Sequence, residues 1–287
     1  MSNIAFLGMG AMGTRIATHL LADGHSLRVW NRTLERCQPL VDQGATVHDS
    51  PVQTAETADV VIVMVADDEA SRQVWLNETA GAMGGLQEGA VALEYSTLTP
   101  SWSLELAGIM SDLNHSFLAA PVVGSRPQAE AGQLIQLVGG DPATLASVQS
   151  ILASHSAVIH PVGDVTASMA LKLAINTLFG IQVAALGEAL GLLQETGMSP
   201  STAIGWLNQM PIASPALKGI GALMVAQNHV PLFPIDLVEK DFRYAELLAQ
   251  ASGAPVPTIK AVHSIYQQAQ QSGYGADNIA GIAQLYF

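Results

Sequence analysis

Three groups of residues have types and spacings that could do chemistry. The first stands at the start of the chain. An apolar run, Ile4-Ala5-Phe6-Leu7, leads into Gly8-Met9-Gly10-Ala11-Met12-Gly13, and a helix-like stretch begins at Ala11. In a G-x-G-x-x-G turn between a strand and a helix, the first glycine (Gly8) permits the tight turn. The second (Gly10) lets the backbone approach a pyrophosphate, and the third (Gly13) lets the helix pack closely on the strand. The first helical turn, with Ala11 and Met12, then offers unpaired N–H groups and the positive end of the helix dipole to the phosphates. Glycines also punctuate ordinary turns, but the strand–turn–helix context is the one a dinucleotide site requires.

The second group lies about 20 residues on, where an Asp or Glu would hold the ribose 2′-OH of NAD. This chain has Trp30-Asn31-Arg32-Thr33 there, with no acid before Glu35. A guanidinium suits a 2′-phosphate, since its planar fork can bond the phosphate and stack on adenine. Asn31 and Thr33 could add hydrogen bonds, so NADP(H) is the expected cofactor. A solvated surface arginine is the plain alternative. Arg15, Arg28, Arg32 and Arg36 cluster in the first forty residues and are expected to supply local positive charge.

The third group is Lys172 with Asn176. Lys172 is the only lysine or arginine between Arg126 and Lys218, and it sits in the apolar run Met169-Ala170-Leu171-Lys172-Leu173-Ala174-Ile175-Asn176. Residues four apart share a helix face. Burial lowers a lysine's pKa toward the range of a general acid or base, whereas a lysine that snorkels to solvent is a common structural feature. Isolation alone leaves both readings open. Glu239-Lys240-Asp241 reads by default as a surface ion-pair cluster. No rival chemistry stands out: the histidines show no i, i+4 pair, Cys37 lies in a polar stretch with no activating neighbour, and no G-x-S-x-G elbow occurs.

The elements that must position these residues change character along the chain. Strand candidates are 4–8, 26–30, 59–65, 90–94, 116–119, 134–138 and 157–160, with helical segments such as 11–21 and 70–75 between them. Val60-Val61-Ile62-Val63-Met64-Val65 is continuously apolar, as in parallel strands buried on both faces. Strand–helix alternation implies right-handed βαβ units in a doubly wound sheet. Past Pro161-Val162-Gly163 the strand-like runs stop, and 164–195 reads as one helix about 45 Å long. Its apolar stretch is long enough to cross a bilayer, but Lys172, Asn176, Gln182 and Glu188 would each be costly in lipid. Ser199 before Pro200 reads as a helix cap. The expected architecture is α/β: a doubly wound domain over 1–162, and an all-helical domain over 163–287 entered by the long helix.

Composition sets outer limits on the 287 residues. Hydrophobic residues make up 49% and charged residues only 12%, which excludes disorder as the main state. The net charge of −13 makes nucleic acid and anionic membranes poor partners. One cysteine excludes a disulfide framework and a cysteine zinc site. No basic segment precedes the first apolar run, so a cytoplasmic protein is expected.

Taken in order, the motifs resemble the β-hydroxyacid dehydrogenase (3-hydroxyisobutyrate dehydrogenase) family, within the wider 6-phosphogluconate dehydrogenase-like group, over the whole chain. Gly8 to Gly13 resembles its cofactor motif. Asn31-Arg32-Thr33 is similar to its NADPH-using glyoxylate and succinic semialdehyde reductases. Tyr95-Ser96-Thr97 resembles its S-T segment near the nicotinamide, and Ala120-Pro121-Val122-Val123-Gly124-Ser125 its substrate loop. Lys172 with Asn176 resembles its K-x-x-x-N, in which the lysine is the acid/base. Phe233 through Lys240-Asp241 resembles a segment beside its active site.

The resemblance implies a Rossmann domain, NADP(H), a small carboxylate-bearing aldehyde or keto acid as substrate, and a homodimer or homotetramer. It places Lys172 and Asn176 at the chemistry. Gly8, Gly10, Ala11, Met12, Gly13, Asn31, Arg32, Thr33, Met64, Val65, Thr97 and Lys240 fall on the cofactor, and Thr97, Val123, Gly124, Phe233 and Asp241 on the substrate. Two positions depart from the pattern: Val123 stands where the loop serine is usual, and Ala119 where an acidic residue is frequent. These departures motivate a rival reading, a non-catalytic NADP-binding module, and imine-type reduction is an enzyme alternative for the same pocket. Imine reductases generally lack the lysine, so Lys172 weighs against that alternative.

Overall fold

The computed structural model describes all 287 residues, Met1–Phe287. Nine strands form one sheet: β1 Asn3–Leu7, β2 Ser26–Trp30, β3 Thr46–Val47, β4 Val60–Val63, β5 Val91–Glu94, β6 Ser116–Ala119, β7 Val122–Val123, β8 Leu134–Gly140 and β9 Ser156–Gly163. The helices between them are α1 Ala11–Ala22, α2 Gln38–Val41, α3 Pro51–Ala55, α4 Asp68–Leu76, α5 Pro100–Asp112, α6 Arg126–Glu130 and α7 Pro142–Ala153. After the sheet come α8 Val165–Glu195, α9 Pro200–Leu207, α10 Pro215–Val225, α11 Ile235–Ser252 and α12 Pro257–Gln271. The chain divides into two compact units, Met1–Lys172 and Leu173–Phe287.

In the first unit the strand order is β3-β2-β1-β4-β5-β6-β8-β7, with β9 paired to β8. β1 pairs in parallel with β2 on one side and β4 on the other. The chain thus winds outward both ways from the β1–β4 junction, the switch point where open α/β sheets bind ligands beyond the strand ends. β1, β4 and β5 are buried almost throughout, which explains their unbroken apolar runs.

Caps set the helix starts. The Asp67 side chain accepts from Ala70 N–H at α4, Thr99 from Trp102 N–H at α5 and Asp141 from Thr144 N–H at α7. The sheet is not wholly parallel: β8 runs antiparallel to β6 and β7. The connection from β7 to β8, residues 124–133, is shorter than the dozen or so residues a parallel crossover takes. The two-residue strands β3 and β7 are absent from the sequence reading, being too short to show a period.

The second unit is helical. Val183, Leu186 and Leu190 of α8 share a core with Ile235, Val238 and Phe242 of α11 and Tyr266 of α12. Gly180 lets α11 approach α8, since a Cβ there would lie 2.5 Å from the Phe242 ring. Ser199 caps α9 ahead of Pro200, as the sequence implies. α8 is long and apolar enough to cross a bilayer by length and composition. Its buried side chains, from Met169 through Leu190, are instead core residues of this fold.

Candidate active site

The glycine turn is built as its spacing demands. Gly8 has φ +112, and a Cβ there would sit 2.0 Å from the Met64 carbonyl oxygen. A Cβ on Gly13 would sit 2.1 Å from the Gly8 carbonyl oxygen and 3.2 Å from the Phe6 ring. Both glycines therefore serve the packing of the protein. Gly10 differs: a Cβ there meets nothing within 4 Å, and its φ −80, ψ −171 would suit any residue. Gly10 is the N-cap of α1 and provides no side-chain cap. The space over Gly10 and the uncapped first turn of α1, with Ala11 exposed and Met12 half-buried, form a cradle for a phosphate.

β2 ends beside this turn. Gly8 N–H donates to the Trp30 carbonyl (2.9 Å), and Met9 N–H donates to Asn31 Oδ1 (3.0 Å). Asn31 Nδ2 donates to the Thr33 carbonyl (2.8 Å). Both ends of the Asn31 amide thus brace the turn, and its NH2 carries a second hydrogen besides the one given to Thr33. Arg32 and Thr33 are exposed beside it. The arginine cluster is smaller than the sequence implies: Arg15 pairs with Glu130 (2.6 Å), and Arg28 donates to the carbonyls of Thr54 and Gln53. Cys37 is buried, which pushes its thiol pKa up and leaves it inert.

The ends of β4 and β5 are tied together. Val65 N–H donates to Ser96 Oγ (2.8 Å), which fixes Met64-Val65 against Ser96-Thr97. Beneath them lies Glu94, fully buried at the end of β5. One carboxylate oxygen accepts from Ser96 N–H (2.9 Å); the other accepts from Ser71 Oγ (2.7 Å) and Trp75 Nε1 (3.0 Å). Trp102 Nε1 in turn donates to Ser71 Oγ (3.0 Å). Burial raises the Glu94 pKa, and the contacts from Ser96, Ser71 and Trp75 work against that rise.

The loop after β6 carries Val123, half-buried, and Gly124 at φ +129. A Cβ on Gly124 would lie 2.8 Å from Leu134 Cδ2, so the loop needs glycine there. Buried Gln136 donates to the Ala120 carbonyl and anchors the loop's start. Ser168 of α8 donates to the carbonyls of Ala119 (3.3 Å) and Leu137 (3.1 Å), which seats the start of α8 on the sheet. Lys172 follows one turn later on the same face, about 6 Å along the axis. It is only 7% exposed, which sets aside the snorkelling alternative.

In the second unit, Asn176 Nδ2 donates to Asp241 Oδ2 (2.5 Å). Asp241 Oδ1 lies 3.3 Å from Lys240 Nζ, and that ammonium lies 5.1 Å from the centre of the Tyr244 ring. Lys240 and Asp241 are 7% and 2% exposed. The expectation of a surface ion-pair cluster therefore fails for these two: Asn176, Lys240, Asp241 and Tyr244 form a buried polar group on facing turns of α8 and α11. Phe233 packs on the helical core, and its N–H donates to Asn278 Oδ1 (3.1 Å).

Comparison with known proteins agrees with the fold. The family profile of the NAD binding domain of 6-phosphogluconate dehydrogenase matches residues 3–163. That described as NAD-binding of NADP-dependent 3-hydroxyisobutyrate dehydrogenase matches residues 166–286. The chain is 31% identical over 282 residues to glyoxylate/succinic semialdehyde reductase 2, chloroplastic, of Arabidopsis thaliana, covering 98% of this chain and 78% of that protein. The chain belongs to the 3-hydroxyisobutyrate dehydrogenase family. The members of this family it matches are NAD(P)-dependent oxidoreductases, and its cofactor is NADP(H).

Other members of this family place the fold. A 3-hydroxyisobutyrate dehydrogenase from Salmonella typhimurium superposes with a TM-score of 0.91 over 100% of both chains at 22% identity. The chain is also 29% identical over 283 residues to the human cytokine-like nuclear factor N-PAC. It covers 99% of its own length there but only 51% of that factor. The residues fit the family's cofactor: the space over Gly10 is open, and Arg32 is exposed just past the end of β2.

Sequence reasoning missed Glu94, Gln136 and the histidine pairings. Glu94 left one trace, an acid closing the apolar run Val91-Ala92-Leu93. His155 lies fully buried against the Tyr95 ring, 5.6 Å between centres, and burial lowers its pKa to about 3. His263 bridges Glu246 (2.7 Å) and Glu239 (3.0 Å), clamping α12 to α11. No group of three or more His, Cys, Asp or Glu side chains is arranged to hold a metal.

Proposed function

We propose that this protein reduces a small carboxylate-bearing aldehyde or keto acid, of the glyoxylate or succinic semialdehyde type, to the hydroxy acid. Bound NADPH supplies the hydride to the carbonyl carbon. Lys172 then protonates the oxygen as negative charge develops on it, and recovers its proton from solvent. Asn176, fixed by Asp241, holds the helix face and the substrate oxygen in register with Lys172. Thr97, Val123 and Gly124 position the substrate, whose carboxylate is met by loop N–H groups that do not depend on the side chain at 123. Met64, Val65, Thr97 and Lys240 serve the cofactor together with the glycine turn, and Phe233 and Asp241 border the substrate.

The observation that carries this reading is Lys172, buried on the turn after the one seated on the Ala119 and Leu137 carbonyls. Loss of NADPH absorbance across a panel of aldehydes, keto acids and imines tests it. Turnover is expected with short carboxylate-bearing carbonyls. Turnover with imines alone would replace it.

A second reading has a specific basis. Val123 lacks the hydroxyl usual in the family loop, and N-PAC covers this chain as part of a longer factor. A non-catalytic NADP(H)-binding module would bind NADPH and turn over nothing on the panel. We also infer a cytoplasmic location and a homodimer or homotetramer, the assembly supported by the exposed Leu171, Leu178 and Leu192 along α8. Light scattering at micromolar concentration tests the assembly, and a monomer mass would refute it.

A further inference from the structure

We propose that Glu94 is a positioning residue for the nicotinamide end of the site, holding the Ser96-Thr97 turn and, through Ser96, the Met64-Val65 turn. This rests on the reading that places Val65 and Thr97 at the cofactor's reactive half.

Glu94 joins two structures. Toward the helices, one oxygen receives Ser71 and Trp75 of α4, and Ser71 receives Trp102 of α5. Toward the site, the other oxygen receives Ser96 N–H. Ser96 Oγ then receives Val65 N–H across the gap between the two strand ends. A second brace lies beside the first: Asp68 of α4 accepts from Thr99 N–H (2.9 Å) and Thr99 Oγ1 (2.6 Å), fixing the far end of the same turn. Residues 95–98 are thus pinned at both ends to α4. A carboxylate with no solvent contact is expensive to keep, and an apolar residue would fill the same space. What the apolar residue would lose is the grip on Ser96 N–H.

The contacts make Glu94→Gln informative. The groups meeting the two oxygens are donors, so an amide sets its NH2 against a donor whichever way it turns. The oxygen that satisfies two donors, Ser71 and Trp75, is the one the amide oxygen replaces best. The NH2 group then faces Ser96 N–H and pushes on the turn that carries Thr97. Volume and the anchoring to α4 are kept, and the adenosine end of the site, at Arg32 and Asn31, belongs to β2.

The test compares wild type with Glu94→Gln in four readouts: kcat, the nicotinamide fluorescence of bound NADPH, the affinity for 2′,5′-ADP, and melting temperature. Expected are a fall in kcat of about tenfold or more and nicotinamide emission moved toward that of free NADPH. The affinity for 2′,5′-ADP should stay within about twofold. A variant that melts lower yet keeps wild-type kcat and emission would show Glu94 to be merely structural. Parallel loss of 2′,5′-ADP affinity would also overturn the proposal, because the whole domain would then be disturbed. If Glu94→Gln does not fold, Ser96→Ala removes the acceptor for Val65 N–H and should move the emission in the same direction; unchanged emission refutes the proposal. Should wild type reduce no carbonyl while its bound-NADPH emission still responds to Glu94→Gln, the reductase reading fails and the positioning role stands.

Discussion

Gly10→Ala separates what the glycine turn does for the protein from what it does for the cofactor. An alanine Cβ at Gly10 meets no atom within 4 Å, and φ −80 is open to alanine. Its effect on folding is the sum of two small quantities of opposite sign. Lower chain entropy in the unfolded state stabilises by about 0.4–1 kcal/mol, and alanine at an N-cap costs roughly 0.5–1 kcal/mol relative to glycine. The melting temperature should therefore move by no more than about 3 °C. The same methyl group occupies the space through which a pyrophosphate reaches the first turn of α1. Losing one or two charge-assisted contacts there, at about 1.5–3 kcal/mol each, raises the Kd for NADPH by at least about tenfold. Calorimetric titration and thermal melts measure both quantities on one sample. Gly13→Ala is the contrasting control: its Cβ would lie 2.1 Å from the Gly8 carbonyl oxygen, so it should melt well below wild type. Unchanged NADPH affinity in a well-folded Gly10→Ala protein would refute the assignment of this turn.

Three further outcomes follow from other parts of the structure. Arg32→Ala should raise the KM for NADPH roughly 10- to 150-fold and leave NADH kinetics nearly unchanged; equal weakening of both cofactors would make Arg32 structural. His155 is held neutral, with a folded pKa of about 3 against an ordinary 6.5, so the unfolded chain binds the extra proton and stability falls as pH drops from 6.5 toward 3. His155→Phe should flatten that loss, which amounts to about 2 kcal/mol at pH 5, and urea melts at pH 5 and 7 read the difference. Asp241→Ala removes the carboxylate shared by Lys240 and Asn176 inside the second unit and should cost about 3 kcal/mol or more in urea unfolding; a loss under 1 kcal/mol would show that Lys240 is adequately held by its other neighbours.

Much of the fold was legible in the sequence because its signals are local. The run Val60–Val65 has one good solution, a strand covered on both faces, and the glycine spacing fixes a turn whose backbone the structure reproduces. Ser199-Pro200 marks a helix start by cap chemistry alone. Other features depend on partners distant in sequence. β7 is two residues long and exists only because β8 returns beside it. Glu94 looks like the polar end of a strand, and only the approach of Ser71, Trp75 and Ser96 makes it a buried hub. Lys240 and Asp241 look solvated beside Glu239 but are buried, with Asp241 meeting Asn176 of α8, while Glu239 turns to His263. Asn31 matches the family's phosphate end by type, and its amide also braces the turn through Met9 and Thr33, a use that no spacing reveals.

The most direct test of the proposed chemistry is the turnover of Lys172→Ala with the best carbonyl substrate at saturating NADPH, beside the NADPH affinity of the same protein. Removing the proton donor should lower kcat by roughly 10²–10⁴-fold while the affinity for NADPH stays within about twofold, since the glycine turn and Arg32 are untouched. Turnover near that of wild type would contradict the assignment of Lys172 as the acid.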